Sequence, residues 1–250
     1  GLMQAYLTLT RRELGGFFFS ITGYIIIAAA AFLIGLSFVV ILQALGNKPY
    51  PVPVTELFYV THFFWLILLL AIPVITMRLF ALEKYSGTFE TLMTTPVTEL
   101  QVVAAKFTAA LVFYVVMWLP LLGCMWILTR YTTGGALDAG VIGTTFLGIL
   151  LLGSLFLSLG CFASALTRNQ VTAAMISLAL SVGVFMLSFL GARVPDADWK
   201  SQVLALVALP DHMSDFVRGT LDTRPAVFCL SLTFFFLFLT LRVIESRRWK

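Results

Sequence analysis

The sequence predicts an all-α integral membrane protein with six transmembrane helices. Hydrophobic residues make up 60% of the 250-residue chain and charged residues 11%, whereas a soluble domain carries roughly a quarter charged residues. Long uncharged stretches recur along the chain, and each can cross a hydrocarbon core roughly 30 Å thick as a helix. The composition and the lengths of these stretches together define the fold class.

The six predicted spans differ in length and in whether they contain ionisable residues. Four contain no Asp, Glu, Lys, Arg or His. The second contains His62 and Pro73, and the sixth is short unless Arg242 and its neighbours reach the interface as snorkelling anchors. We expect residues 1–250 to form one transmembrane domain. The predicted spans are about 24–45, 57–77, 107–128, 141–165, 171–191 and 225–243.

Basic residues predict the orientation of the chain. Six spans place both termini on one side, and ten Lys and Arg residues fall on that side against six on the other. Because cytoplasmic segments carry the excess of Lys and Arg, we expect both termini in the cytoplasm. The net charge of +4 is spread over the helix ends, so it does not indicate a nucleic-acid partner.

The segment before the first span predicts a helix that lies along the cytoplasmic interface. Its residues mix apolar side chains with Arg11, Arg12 and Glu13, as amphipathic interfacial segments do. The alternative is a solvated tail, because chain termini are often disordered. We expect Met3 to be the natural start, and the first span is too long for the apolar region of a cleavable signal.

Two long connections, Arg78–Lys106 on the inner side and Ala192–Arg224 on the outer side, are expected to carry function. Each has about thirty residues, which is more than a plain connection needs. In the inner one a helix is predicted over 87–93, and Thr98 with Gln101 forms a capping-box pattern before the next helix. A short helix beneath the bundle suits docking of a soluble partner. The candidate docking residues are Glu83, Gly87, Thr88, Phe89, Glu90 and Leu92.

The outer connection predicts a re-entrant helical hairpin that caps the bundle. Residues 203–209 are apolar but too few to span the bilayer, and Pro210 interrupts them. An amphipathic helix follows, in which Arg218 is expected to pair with Asp215 or Asp222 as a latch. The alternative is a flexible loop that only joins two spans. The candidate cap residues are Leu206, Pro210, Asp215, Phe216, Arg218 and Gly219.

The chain lacks residues that several other functions need. It contains no Gly-x-x-x-x-Gly-Lys-Ser/Thr phosphate loop, so we expect ATP hydrolysis on a separate polypeptide. His62 and His212 have no second ligand at metal-binding spacing, and no Ser, His and Asp set can be assembled at one depth. Apart from His62 the spans hold no ionisable residue of the kind that marks ion pathways. These absences favour a hydrophobic or amphiphilic cargo, or the transmission of mechanical force.

Three segments carry a resemblance to a known family. They are MRLFALEKYSGTFETLMTTPV at 77–97, DFVRGTLDTR at 215–224 and LRVIESRRW at 241–249. In these segments the chain resembles the ATP-binding-cassette (ABC) type-2 permeases, and more narrowly the gliding-motility-type permease subunits of bacteria. It departs from the family pattern at Leu82, where members often carry a second acidic residue, and at Ala105, where Gly is common.

The resemblance implies a set of partners. The helix around Thr88 and Glu90 would be the coupling helix that seats in a groove of a separate cassette ATPase. That ATPase would bind ATP and Mg²⁺, so this chain is expected to hold no cofactor and no metal. The resemblance further implies a homodimer of permease copies in the bacterial inner membrane. Membrane lipid and a periplasmic or membrane accessory protein are further expected partners.

Several functions stay open at this point. Such a permease could export a substrate, or relocate lipids or lipoproteins without moving a soluble cargo. From a different class, the chain could be a non-transport membrane anchor or a force-transmitting assembly factor of envelope or motility machinery. An intramembrane enzyme is the third class, and the lack of a catalytic constellation disfavours it.

Overall fold

The computed structural model of the chain describes residues 2–45, 54–88, 97–131, 139–191, 207–220 and 222–248. The regular structure within those residues is entirely α-helical, which confirms the all-α prediction. In chain order the helices are α1 (Leu2–Phe18), α2 (Ile21–Leu45), α3 (Val54–Val60), α4 (Phe63–Thr76), α5 (Ala81–Ser86), α6 (Glu99–Tyr131), α7 (Ala139–Leu166), α8 (Gln170–Gly191), α9 (Leu209–Val217) and α10 (Thr223–Arg248).

Six helical stretches in this part of the chain are long and apolar enough to cross a membrane. The second of them runs through α4, a short turn and α5, and the others lie within α2, α6, α7, α8 and α10. The chain is therefore a multi-pass membrane protein. The stretches are Ile21–Gln43, Phe63–Ser86, Glu99–Ile127, Ala139–Leu166, Gln170–Ser188 and Thr223–Ser246.

One boundary differs from the sequence prediction. The span expected over 57–77 is divided into α3 and α4, with Thr61 and His62 between them. The Thr61 hydroxyl donates to the backbone carbonyl of Phe58 and also lies 3.0 Å from the hydroxyl of Ser37 on α2. A hydroxyl that binds a nearby carbonyl competes with the helical hydrogen-bond ladder. As a result, α3 is a separate short helix at the end of the bundle.

The central helix of the bundle is α7. It packs against α4, α6, α8, α9 and α10, and 78% of its most apolar stretch is buried. Glycines bring the neighbouring helices close. A Cβ at Gly153 would lie 2.1 Å from the ring of Tyr114, and one at Gly160 would lie 2.2 Å from Thr76 Oγ1. Helices in lipid associate through such small residues, because burial alone does not drive their association.

The N-terminal helix α1 packs along α6 as part of the bundle. The Tyr6 hydroxyl donates to Thr108 Oγ1 at 2.8 Å, and the ring of Phe17 stacks on that of Phe113 with centroids 5.0 Å apart. The turn into α2 is tight, since a Cβ at Gly23 would lie 2.0 Å from the carbonyl oxygen of Phe17. This segment is thus a packed helix and not a solvated tail, and its place at the membrane interface stays a prediction.

Candidate functional site

The bundle has two ends, and each carries predicted site residues. One end is formed by α1, α5 and the start of α6, and is called the α1 end below; α3 and α9 form the opposite, α9 end. The predicted docking residues belong to the α1 end and the predicted cap residues to the α9 end. The remaining predicted residues, Phe89, Glu90, Leu92 and Leu206, lie outside the described residues, and their roles stay predictions.

Four charged side chains meet at the α1 end. Lys106 Nζ lies 3.1 Å from Glu13 Oε1 and 3.0 Å from Glu83 Oε1. Arg12 Nη2 lies 3.0 Å and 2.8 Å from the same two oxygens. We call Arg12, Glu13, Glu83 and Lys106 the charge cluster. It joins α1, α5 and α6, which are distant from one another in the sequence.

Burial makes the charge cluster sensitive to the loss of any member. The Lys106 side chain is 3% exposed, and those of Glu13 and Glu83 are 15% and 14% exposed. A buried ion pair adds little net stability, but removal of one partner strands the other charge and costs roughly 3–5 kcal/mol. Glu83 Oε2 is buried and has no hydrogen-bond partner among the described residues. The pairing of Glu83 therefore depends on its other oxygen, which binds α1 and α6.

Glu83 has a different setting from the one that the sequence suggested. The sequence suggested that Glu83 contacts an ATPase. In the structure its side chain forms ion pairs with Arg12 and Lys106 of the same chain. The physical reason is Lys106, which is buried and needs carboxylate partners. Any contribution of Glu83 to docking would therefore act through the position of α5.

The end of α7 supplies the cap of α5. Phe80, at the N-cap position of α5, makes no side-chain capping hydrogen bond. Instead, the N–H groups of Phe80 and Ala81 both donate to Ser164 Oγ on α7 at 3.1 Å. In return, the Lys84 ammonium donates to the carbonyl of Ala165 near the C-terminus of α7. Because the first N–H and last C=O groups of a helix lack partners within it, the two helices satisfy each other.

Gly87 and Thr88 form the exit from α5. Gly87 has a φ of 74°, a left-handed conformation that favours glycine, and it ends the helix. Thr88 is again helical, and its hydroxyl lies 2.9 Å from that of Ser86. Before α6, the Gln101 N–H donates to Thr98 Oγ1 and the Thr98 N–H donates to Gln101 Oε1. This reciprocal pair confirms the predicted capping box.

At the α9 end, α3 binds both ends of α9. The Tyr59 hydroxyl donates to the carbonyl of Pro210 at 2.7 Å, and Thr55 Oγ1 donates to the carbonyl of Val217 at 3.1 Å. Pro210 occupies the first turn of α9, where its missing N–H costs nothing. Gly219 follows the helix with a φ of 86°, so it ends α9 as the sequence suggested.

The apolar face of α9 packs on α7. A Cβ at Gly148 would lie 2.9 Å from Met213 Sδ and 3.0 Å from Phe216 Cβ, so α9 rests directly on the backbone of α7. A hydrogen bond from Ser188 Oγ on α8 to the carbonyl of Val207, at 2.7 Å, adds a further attachment. Residues 207–220 are therefore packed against the bundle and are not a free loop. Their insertion into the membrane stays a prediction.

Arg218 pairs with Glu56 on α3, which corrects the partner suggested by the sequence. Arg218 Nη2 and Nε lie 2.8 Å and 3.0 Å from Glu56 Oε1, and this hydrogen bond and charge raise the pKa of Arg218 above its ordinary value. The sequence suggested Asp215 or Asp222. Asp222 instead accepts the N–H of Arg224 in the first turn of α10. Glu56 was missed because it lies just before the predicted second span, where no separate helix was expected.

The described part of the chain contains no candidate metal site. No group of three or more His, Cys, Asp and Glu side chains there could hold a metal ion. Cys161 and Cys229 are free and buried, and both belong to the apolar core. They therefore act as packing residues at these positions.

These features define a class of protein, a polytopic helical membrane protein with a short helix fixed at one end of the bundle and another packed over the opposite end. The family described as ABC-2 family transporter protein matches residues 53–197, which is more than half of the chain. The chain therefore belongs to the ABC-2 transporter family. Members are typically non-catalytic transmembrane subunits, and membership implies association with a cassette ATPase. A comparison with curated proteins finds no match.

The family match covers part of each candidate site. It extends from just before α3 to just after α8, so it includes Glu83, Lys106 and Ser164 at the α1 end. At the α9 end it includes Glu56 but not Arg218. The contacts of α1 and α9 thus join segments outside the matched region to the matched core.

Proposed function

We propose that the chain is the permease subunit of a bacterial ABC transporter of the gliding-motility type. It would function in the inner membrane as a homodimer, driven by two copies of a separate ATPase that binds ATP and Mg²⁺. Family membership supports the permease role, and the resemblance of three sequence segments supports the subtype. The observation that carries the proposal is the attachment of α5, which precedes the predicted coupling segment, to the buried core through Ser164 and Lys106.

A continuous path of packed elements connects the two ends of the molecule. The segment after Gly87 continues from α5, α5 is capped by Ser164 on α7, and α9 rests on α7 at Gly148. The two contacts on α7 are separated by roughly 24 Å at 1.5 Å per residue. Because close-packed interiors transmit strain, closure of the ATPase pair against the coupling segment would shift α7 and with it α9.

In this proposal α9 is the gate on the outer side. Its apolar face stays with α7. Its polar contacts with α3 are the hydrogen bonds from Tyr59 and Thr55 and the ion pair between Arg218 and Glu56. Arg218 is 59% exposed, and ion pairs at exposed sites contribute little to stability. Such a contact can break and form in each cycle, so the interface between α3 and α9 is the natural place for opening.

The orientation belongs to the same proposal, with the α1 end in the cytoplasm. The excess of Lys and Arg on that side supports it. Single cysteines at Arg168 and Lys48 test it in intact cells with a membrane-impermeant thiol reagent. We expect labelling at Lys48 and protection at Arg168. The opposite pattern would invert the orientation and remove the ATPase from the α1 end.

Reconstitution with a cassette ATPase tests the proposed function. The purified chain alone should hydrolyse no ATP, and the ATPase should bind it and be stimulated by it in nanodiscs. Phe89→Asp and Glu90→Lys should each lower binding by about tenfold or more, because a buried contact that loses its partner costs a few kcal/mol. Asp211→Lys, a charge reversal at an exposed site of the α9 end, is the control and should change nothing. Unchanged binding in both coupling variants would contradict the proposal.

The second candidate function is force transmission without cargo. The apolar character of the spans favours this function and the transport of a lipid-like cargo equally. Each of the six stretches has an 18-residue window with at most two charged residues, so the spans offer little to a hydrophilic substrate. The two candidates separate in proteoliposomes that contain the ATPase. ATP-dependent movement of a fluorescent lipid supports transport, whereas coupled hydrolysis with no lipid movement supports force transmission.

A further inference from the structure

A pocket of about 110 Å³ opens at the α1 end beside the charge cluster. It lies between the end of α1 and the turn that connects α4 to α5. Both polar and apolar side chains face it, whereas only apolar side chains line the groove between α2 and α4. The lining residues are Glu13, Gly16, Phe17, Arg78, Leu79 and Leu82.

Arg78 gives this pocket its chemical character. Its Nη1 donates to Thr22 Oγ1 at 3.0 Å, and within the described residues the guanidinium forms no ion pair. The Arg12 and Lys106 charges, by contrast, are both matched by carboxylates. A planar guanidinium has five N–H donors in a fork that fits phosphate oxygens. Arg78 therefore retains donors and an unmatched positive charge for an anion.

Glu13, the acid among the described residues that line the pocket, does not cancel this charge. Glu13 Oε1 lies 3.1 Å from Lys106 Nζ and 3.0 Å from Arg12 Nη2. The charge cluster contains two cations and two carboxylates, so it is neutral as a unit. With Arg78 included, the surroundings of the pocket carry a net positive charge and favour an anionic group.

Apolar side chains line the pocket and also occupy the turn that follows α1. Phe17, Leu79 and Leu82 line the pocket, and at the following turn Phe19 and Ile21 are 87% and 80% exposed. Large apolar side chains at the end of a membrane-spanning helix are suited to contact acyl chains. A soluble phosphate compound would gain nothing from this surface, whereas a phospholipid would cover it.

We propose that the phosphate of an anionic phospholipid binds in this pocket, with Arg78 as its ligand and the acyl chains along Phe19 and Ile21. Basic pockets between transmembrane helices on the cytoplasmic side bind anionic lipid headgroups in this way. This lipid site goes beyond the proposed permease function. Only the identity of the leaflet that supplies the lipid depends on the proposed orientation. A lipid bound beside Glu13 would contact both α1 and the α4–α5 turn and would hold the two together.

Two neighbouring glycines provide a matched test of the pocket. A Cβ at Gly16 would meet no heavy atom within 4 Å, so a side chain there can fill the space without displacing the backbone. A Cβ at Gly15 would lie 3.7 Å from Phe19 Cδ2, an ordinary contact, and Gly15 does not line the pocket. Gly16→Leu and Gly15→Leu make the same change in helix propensity within α1, and only Gly16→Leu places a side chain in the pocket.

The experiment is native mass spectrometry of the full chain in detergent, without the ATPase. The probe is an equimolar mixture of dioleoylphosphatidylglycerol and dioleoylphosphatidylcholine. The unmodified chain should retain phosphatidylglycerol in excess, and Arg78→Gln and Gly16→Leu should each lower that excess by about tenfold, as expected for loss of a charge-assisted contact. Gly15→Leu and Arg168→Gln, an exposed arginine near the same end, should retain it. Equal retention of the two lipids by the unmodified chain, or full retention by Arg78→Gln and Gly16→Leu, would overturn the proposal.

A soluble competitor separates a lipid from a free phosphate compound. Glycerol 3-phosphate at millimolar concentration should leave the bound phosphatidylglycerol in place, because it lacks the acyl chains. If it displaced the lipid through Arg78, the pocket would be a site for soluble phosphates and the lipid proposal would be wrong. Since no ATPase is present, a negative result here leaves the proposed permease function untouched, and failure of ATPase coupling leaves this lipid site untouched.

Discussion

The hydroxyl of Ser164 on α7 accepts the backbone N–H of Ala81 at 3.1 Å, and so caps a helix that precedes it by 83 residues. The most buried helix of the bundle thereby holds the short helix that leads into the predicted coupling segment. Ser164 is itself fully buried, so water cannot replace it as an acceptor. In the proposed function, this contact couples the two ends of the molecule.

Ser164→Ala should release α5 from α7. The variant leaves the N–H groups of Phe80 and Ala81 without their acceptor, at a cost of about 1–3 kcal/mol for each buried unsatisfied group. We expect faster amide exchange across α5 and weaker stimulation of the ATPase, with the six spans intact by circular dichroism. Ser158→Ala is the control, because its hydroxyl donates only to Leu155 within α7. Equal effects of the two variants would show that the cap has no special role.

Lys106→Met should destabilise the chain by several kcal/mol, because it leaves two largely buried carboxylates with Arg12 alone. The combination of Lys106→Met with Glu83→Gln should recover part of that loss, since it removes one stranded charge. Thermal unfolding in one detergent measures both variants. The control is Arg242→Met, in an exposed pair with Glu245, which should cost less than about 1 kcal/mol. Additive losses in the double variant would contradict a coupled cluster.

Gly153→Ala should disrupt the packing of α6 on α7. The new methyl group would lie 2.1 Å from the ring of Tyr114, which is fully buried. Overpacking of this kind costs about 1–3 kcal/mol, and more where the backbone must shift. Gly143→Ala in the same helix meets no atom within 4 Å and should be neutral or slightly stabilising. A stable Gly153→Ala protein would mean that the approach of α6 to α7 is looser than described.

Charge reversal tests the contact between α3 and α9. Arg218→Glu places two carboxylates together beside Glu56, so α9 should open more often and its amides should exchange several-fold faster. Glu56→Arg combined with Arg218→Glu restores an opposite-charge pair and should return exchange toward the original rate. Hydrogen exchange of residues 209–217 in nanodiscs gives the readout. If the double variant exchanges as fast as Arg218→Glu, the pair does not hold α9.

Local patterns in the sequence predicted the helical elements, and tertiary contacts decided the sites. Hydropathy alone indicated six spans, and the pair Thr98 and Gln101 indicated the start of α6, because each signal lies within a few residues. Apart from the neighbours Arg12 and Glu13 in α1, the partners in the charge cluster and the partner of Arg218 are between 23 and 162 residues apart. Such pairs depend on how the helices pack, which a single sequence does not reveal.

Particular side chains show which contacts a single sequence does not reveal. From the sequence, Glu83 is expected to be a surface acid beside a coupling helix. The structure shows that it pairs with the buried Lys106. Ser164 reads as one more small residue in an apolar helix, and only the approach of α5 makes it a cap. Glu56 became visible as a latch residue only when α3 proved to be a separate helix facing α9.

The most direct measurement of the central claim is hydrogen exchange at α9 in the complex of this chain with its cassette ATPase. With a hydrolysis-deficient ATPase, addition of ATP should speed the exchange of residues 209–217 by several-fold, although ATP would bind at the opposite end of the bundle. Ser164→Ala should abolish this response without preventing assembly of the complex. An exchange rate at α9 that is the same with and without ATP would contradict coupling through α5 and α7.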